Sequence, residues 1–480
     1  MNKIFKSALM LAFVAVSLTA CKDEGEDPIT PGTELEVLQG DLESMTLDAS
    51  KKYLIRGTVF VRNGKVLTIP AGTVLIGEKR TKGTLVIDKG GRIEANGTAN
   101  APVVMTSNQE TFERDKGDWG GLVILGRANC NQNNPAIEGI TPEVTFGTFQ
   151  STEFDNESSG TLRYLRVEYA GIALSPNNET NSITMGGMGR GTEMEYCMVS
   201  YGGDDGFEWF GGTADARYLV SHGTWDDDFD CDFGWTGRVQ FALAVRDPFA
   251  ADQSGSNGFE CDNEAGGNDV QPYTSGIFSN VTILGPRHDS LKSAGNQHSA
   301  NYQHAMHLRR RTAISIFNSV MTGFPTGFRL DGATTEAQYT SGVGTVANNI
   351  YVAIGGRNNP ALVAAGSGND NASVLAYWNN NNNTFYTDGA GITVNGKTHA
   401  KALTDAGVNP DLIMGFRFDF RDYPNNPNFA TFTGATQTGS DFSNSKLGGG
   451  YFQNVPYRGA FGGTDWTDGW AAFFPQGVEY

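Results

Sequence analysis

The chain is 480 residues long, holds 62 glycines with only 18% charged residues, and carries a formal net charge of −18. That balance sets it against nucleic acid as a partner and against docking on anionic lipid. Its length admits one large repetitive domain or two ordinary ones, and no apolar run after Ala20 is long enough to cross a bilayer as a helix.

Lys3 and Lys6 precede an apolar run from Ala8 to Leu18 that is too short to span a membrane. The run ends in Leu18-Thr-Ala-Cys21, which resembles a bacterial lipoprotein lipobox. The resemblance implies that residues 1–20 are a signal peptide and that acylated Cys21 anchors the protein in outer-membrane lipid. Several acyl chains on one residue hold firmly, since each buried methylene contributes roughly 0.8 kcal/mol. Lys22-Asp-Glu-Gly-Glu-Asp27 resembles the export signal of Gram-negative lipoproteins shown on the outer face of the outer membrane. The expected location is therefore lipid-anchored at the outer membrane, facing the cell exterior. With Pro28, Pro31 and many acids, residues 21–50 read as a flexible acidic tether.

From Tyr53 to Ile354, short β-rich segments recur between Gly, Asn and Asp turns. Five of them align as one repeated strand: Gly206-Phe-Glu-Trp-Phe210, Asp228-Phe-Asp-Cys-Asp232, Gly258-Phe-Glu-Cys-Asp262, Ala305-Met-His-Leu-Arg309 and Gly327-Phe-Arg-Leu-Asp331. Side chains alternate across a strand. Phe207, Phe229, Phe259, Met306 and Phe328 then share one face with Trp209, Cys231, Cys261, Leu308 and Leu330. The opposite face shows two columns, Glu208, Asp230, Glu260, His307, Arg329 and Phe210, Asp232, Asp262, Arg309, Asp331. A period of roughly 20 to 30 residues with several strands per turn predicts a β-solenoid, whose turns must stack to bury their apolar faces. Residues 51–354 are assigned to the coil and 355–480 to its C-terminal continuation and cap. Lys401-Ala-Leu-Thr-Asp-Ala-Gly-Val begins one short helix, Asn379 to Asn383 is a polar loop, and Trp466, Trp470, Phe473 and Phe474 are expected to close an open end. Cys231 and Cys261 share one inward register, either as a disulfide or as two stacked thiols.

Gly91-Arg-Ile-Glu-Ala-Asn-Gly-Thr-Ala-Asn-Ala-Pro-Val-Val-Met-Thr-Ser107, Trp119-Gly-Gly-Leu-Val-Ile124 and Leu162-Arg-Tyr-Leu-Arg-Val-Glu-Tyr-Ala-Gly171 resemble the pectate-lyase-like surface lipoproteins of Gram-negative bacteria. The resemblance runs from about Lys51 to Tyr480 and implies an all-β, right-handed parallel β-helix with a C-terminal capping region. It implies fold more strongly than function.

Stacked turns would set carboxylate above carboxylate at roughly 4.8 Å, where like charges need water, a cation or arginine between them. Hard cations such as Ca²⁺ take several oxygens, and Asp230, Asp232, Glu260 and Asp262 are the expected metal ligands. Asp204, Asp205, Trp225-Asp-Asp-Asp228 and Glu264 bring further carboxylates to the same side. Glu208, Asp230, Glu260 and Arg309 are the expected ligand-binding residues. The leading expectation is a surface lipoprotein that binds an extracellular ligand, a glycan or other nutrient, beside a TonB-dependent importer. That partner is implied only by how similar surface lipoproteins work. A second reading is a Ca²⁺-assisted lyase of uronate-containing polysaccharide, with His307 or Arg329 as the catalytic base. A hydrolase would need an acid and a base among Glu208, Asp230 and Glu260. A third reading is a structural or adhesive surface protein. His288, His298, His304 and His307 gather in one stretch read as a polar surface loop. No EF-hand spacing, phosphate-binding glycine loop, Cys-x-x-Cys pair or Gly-x-Ser-x-Gly turn stands out.

Overall fold

The computed structural model describes residues 35–137, 139–175, 178–287, 298–354, 361–363, 371–387, 391–394, 397–413 and 427–480. Cys21, the signal peptide, most of the expected tether and His288 lie outside them. Strand follows strand around a coil whose turns stack into one 26-stranded sheet with parallel pairing throughout its ladder. Three flat faces result. Val74–Gly77 and Val103–Ser107 belong to the first face, and Thr84–Ile87, Gly121–Leu125 and Ile183–Gly186 to the second. Val66–Pro70 and Arg92–Asn96 belong to the third. The coil begins at Leu35: the strand Leu35–Leu42 pairs with Lys52–Val61 inside the span expected to be tether. Leu38 points inward and is buried there, which gives the segment a reason to pair.

Parallel strands buried on one side and bent at each corner leave no room for mixed register. Phe207, Phe229, Phe259, Met306 and Phe328 stack inward in register, with Trp209, Cys231, Cys261, Leu308 and Leu330 beside them. Cys231 and Cys261 are buried free thiols, which decides between the two states left open by the sequence.

The corner between the third and first faces is made inside single long strands such as Glu193–Ser200 and Arg238–Val245. The bend falls at one left-handed residue per turn, within a strand at Tyr164, Tyr196, Tyr218, Phe241 and Asn280 and between two short strands at Asn318 and Asn348, with φ between 46° and 62°. Asparagine tolerates that conformation, whereas a bulky aromatic there carries strain of about 1–2 kcal/mol. The aromatics offset it by stacking, Tyr164 on Tyr196 and Tyr196 on Tyr218 at 4.4 Å, and Tyr218 on Phe241 at 5.2 Å.

The helix Asn371–Asn380 closes the late end of the coil, with Trp378 and Tyr377 packed on Phe328. The short helix expected at Lys401 is Lys401–Ala406. The expected role of the C-terminal aromatics needs correction. Residues 427–480 run along the flank as a strap and do not close an end. Trp470 meets Tyr164 and Tyr196 edge-on, and Trp466 meets Tyr218. Phe473 reaches His222, while Phe474 lies against Phe112. The outward side of the first face is apolar (Met198, Val220, Leu243, Leu284, Val320, Ile350), so it needs this cover. Where the corner column changes from aromatics to asparagines, the strap changes from side-chain to backbone contact. Asn280 Nδ2 donates to Tyr457 O at 2.9 Å, and Asn318 Nδ2 donates to Asp441 O at 3.1 Å.

Candidate functional site

The second face is uncovered where its outward residues turn from apolar to acidic. In the early turns Phe60, Val86, Val123 and Leu125 lie under the excursion that carries Ile137, Ile140, Val144 and Phe146. Beyond it the outward column reads Glu208, Asp230, Glu260, His307 and Arg329, each register partner of the next. The second column pairs Phe210 with Asp232 and Arg309 with Asp331. The alternation read from the sequence therefore holds.

Chemically the columns fall into two parts. In the later turns charges are matched. Arg309 grips Glu260 and also donates through Nε to Asp262 at 2.7 Å, while Arg310 Nη1 donates to the other Asp262 oxygen at 2.6 Å. His307 lies between two carboxylates, with Nδ1 3.2 Å from Glu260 Oε2 and Nε2 3.0 Å from Asp331 Oδ2. A carboxylate only accepts, so serving both requires both ring nitrogens to carry protons. Burial opposes that charge, but the hydrogen bonds to Asp331 and Glu260 outweigh it and hold the imidazole above its ordinary pKa. Arg329 pairs with Asp331 at 3.0 Å and approaches His304 Nε2 at 3.2 Å. His304 and His307 are thus buried strand residues with rings 4.9 Å apart; His307 keeps the strand position expected from the repeat, and His304 is not in the surface loop expected for it.

In the middle turns acids gather. Asp204, Asp205, Asp226 and Asp227 come from the corner loops that lead into the second face, and they meet Glu208, Asp230 and Glu260 there. Three groups form, Asp204/Asp205/Asp226, Asp205/Glu208/Asp230 and Asp227/Asp230/Glu260, each with one oxygen per residue within 4.8 Å of the others. Among the described residues no lysine or arginine forms an ion pair with Asp205, Glu208, Asp227 or Asp230. Burial first, then the neighbouring acids, push all four well above the usual carboxylate range.

The four carboxylates expected as metal ligands fall on both sides of this division. Asp230 stays at the centre. Asp262 belongs to Arg309 and Arg310, and Glu260 is shared with Arg309 and His307. Asp232 accepts from Phe233 N at 2.6 Å and joins none of the three groups; burial, then Asp262, push it up to about 8. Asp228 forms a fully buried pair with Arg246 at 3.0 Å, and Glu264 caps its own loop through Gly266 N and Asn268 N. Neither belongs to the open cluster. Asp205 and Asp227 were visible in the sequence as an Asp-Asp-Gly turn and an Asp-Asp-Asp run, but their direction is set by the corner loops and not by strand alternation.

The donor set of this cluster fits a hard cation. Oxygens about 2.4 Å from Ca²⁺ stand no more than about 4.8 Å apart, and the oxygens of each group fall within that limit. Two further oxygens at the cluster lack partners: Asn181 Oδ1, on the amide whose Nδ2 donates to Glu208, and Asp226 Oδ1. Half-buried aromatics flank the cluster, Phe210 and Phe233 (rings 5.3 Å apart) on one edge and Trp225 on the other.

No curated protein matches the chain. Among solved structures, the crystal structure of the Dettilon tailspike protein (gp208) is similar at 10% identity and a TM-score of 0.26. The match covers 66% of this chain and spans 57% of that tailspike's length. The family model described as the pectate-lyase-like β-helix domain matches residues 40–404, beginning within the first strand, taking in every turn that carries the acidic columns, and ending within the helix Lys401–Ala406, short of the strap. The chain belongs to the pectate-lyase-like β-helix domain family.

Proposed function

We propose that this protein binds an extracellular glycan on the acidic part of its second face, with a divalent cation, Ca²⁺ foremost, held by Asp205, Glu208 and Asp230. The observation that carries this reading is the cluster of half-buried and buried carboxylates in which Asp205, Glu208, Asp227 and Asp230 have no ion-paired lysine or arginine among the described residues. Uncompensated acids this close repel one another in the free protein, so a bound cation is stabilising in a way it would not be on a solvated ridge. Aromatic rings on both edges suit the apolar faces of sugar rings. Arg309, Arg310 and Arg329 keep part of their surface open at the far end, where an anionic substituent would be received.

Binding is favoured over the lyase reading because both proposed bases are committed. His307 carries its proton between two carboxylates, and Arg329 is paired with Asp331. A base must be free to take the substrate's proton. The proposal includes display at the outer membrane through acylated Cys21 and delivery to a TonB-dependent importer, both resting on the sequence resemblance alone. Retention of the purified chain on immobilised polysaccharides, with Ca²⁺ and with chelator, tests the binding. Cation-dependent retention without any ultraviolet-absorbing unsaturated product is expected. Release of such a product, lost in Arg329→Ala, would replace binding with cleavage.

A further inference from the structure

The three acid groups are not separate: Asp205 belongs to two of them and Asp230 to two. Which groups would hold a cation follows from what already neutralises them. The group containing Glu260 leans on a residue that Arg309 and His307 serve, so its demand for a further charge is the lowest. In the other two, Asp204/Asp205/Asp226 and Asp205/Glu208/Asp230, no lysine or arginine among the described residues is ion-paired with Asp205, Glu208 or Asp226, and Arg246 acts on Asp226 only while paired with Asp228. One divalent ion carries less charge than the carboxylates of Asp205, Glu208, Asp226 and Asp230 together.

An observation independent of the acids, a buried amide, points the same way at one group, and an unpartnered oxygen lies at the other. Asn181 is 4% exposed, and its Oδ1 has no hydrogen-bond partner although its Nδ2 donates to Glu208 and, at 3.3 Å, to Thr184. A buried amide oxygen without a donor is costly, about 1–3 kcal/mol; beside Asp205/Glu208/Asp230 it is a ready fourth oxygen. Asp226 takes Ser254 Oγ on one oxygen at 2.8 Å, while its buried Oδ1 is unpartnered. Asp205 itself is 7% exposed and accepts a single hydrogen bond, from Asp227 N at 2.8 Å, which leaves lone pairs on both oxygens.

We infer that the acidic face holds two divalent cations bridged by the carboxylate of Asp205, one completed by Glu208, Asp230 and Asn181, the other by Asp204 and Asp226. A shared carboxylate puts such ions about 3.5–4 Å apart, as in two-metal sites generally. This deepens the proposed cation-dependent binding site and rests on that reading for its purpose, but it is tested without any glycan.

The test uses the full-length chain with Mn²⁺ as a paramagnetic stand-in for Ca²⁺, equilibrium dialysis for the count and electron paramagnetic resonance for the coupling. Two ions per chain and an exchange-coupled spectrum are expected. Asp226→Asn and Glu208→Gln should each leave one ion with an uncoupled signal, and Asp205→Asn should abolish the coupled signal. Circular dichroism checks that each isosteric variant folds. One ion per chain in the wild type overturns the bridged pair, as do two ions without coupling. Either result leaves glycan retention, measured separately, to stand or fall by itself.

Discussion

Asp230 and Glu260 are register partners on adjacent turns of the second face, yet among the described residues only Glu260 is ion-paired, with Arg309 and His307. The face therefore changes character between one turn and the next, from charges that need an outside partner to charges that have one.

That boundary gives a pH dependence whose sign can be worked out. Asp205, Glu208, Asp227 and Asp230 are raised by burial and by one another, and Asp232 by burial and Asp262 up to about 8. A carboxyl raised in the folded state contributes stability while protonated and loses it as pH climbs through its folded pKa. His307, also raised, loses its contribution in the same direction. His222, held down to about 3 by burial, opposes this only below the ordinary histidine value of 6.5. In chelator, thermal melting should fall between about pH 6.5 and 8, and saturating Ca²⁺ should flatten that slope. A chelated protein equally stable across the window would mean that the acids are compensated in some other way.

The buried pair Arg246–Asp228, beside the acidic cluster, predicts a large effect on stability. Both side chains are fully buried, and Asp228 also accepts from Ser221 at 2.7 Å. Arg246→Met strands a buried carboxylate and should cost about 3–5 kcal/mol in urea unfolding. The double change Arg246→Met/Asp228→Asn should recover much of that loss.

Removing Trp470 should loosen the strap. The ring is buried against Tyr164 and Tyr196, and truncation of a core Trp costs about 3–5 kcal/mol. In Trp470→Ala, hydrogen exchange should accelerate over residues 460–480 while the inward Phe207–Phe259 ladder stays protected. Uniform acceleration through the coil would show that the strap and the turns open together.

The thiols make a simple chemical prediction. Cys130, Cys197, Cys231 and Cys261 are all buried and free, and burial raises each thiol above its ordinary pKa. Maleimide should leave all four untouched in the native protein and label all four after denaturation without reductant. Loss of two labels would reveal a Cys231–Cys261 bridge.

How much of this was legible follows from which rule sets each side chain's direction. The two-residue alternation of a strand placed Phe207, Phe229 and Phe259 inward and Glu208, Asp230 and Glu260 outward, because register in a buried coil allows nothing else. Asp205, Asp227 and Asp228 sit in corner loops, where no period applies: neighbouring Asp227 and Asp228 end in different environments, one in the acid cluster and one on Arg246. Arg309 and Arg329 read equally well as ligand contacts or ladder ends until their carboxylate partners were in place. The strap was illegible because its aromatics match a column of Tyr residues hundreds of positions earlier, a pairing that no local pattern encodes.

That strap alters how the coil comes apart. In a solenoid each turn couples only to its neighbours, so turns can peel from an end one at a time. Here Tyr480 donates to Glu168, Trp466 sits on Tyr218, and Asp441 and Gly459 bind Asn318. One segment thus spans distant turns like a splint, and a pull that would unzip an unbraced coil must first shear contacts along its length.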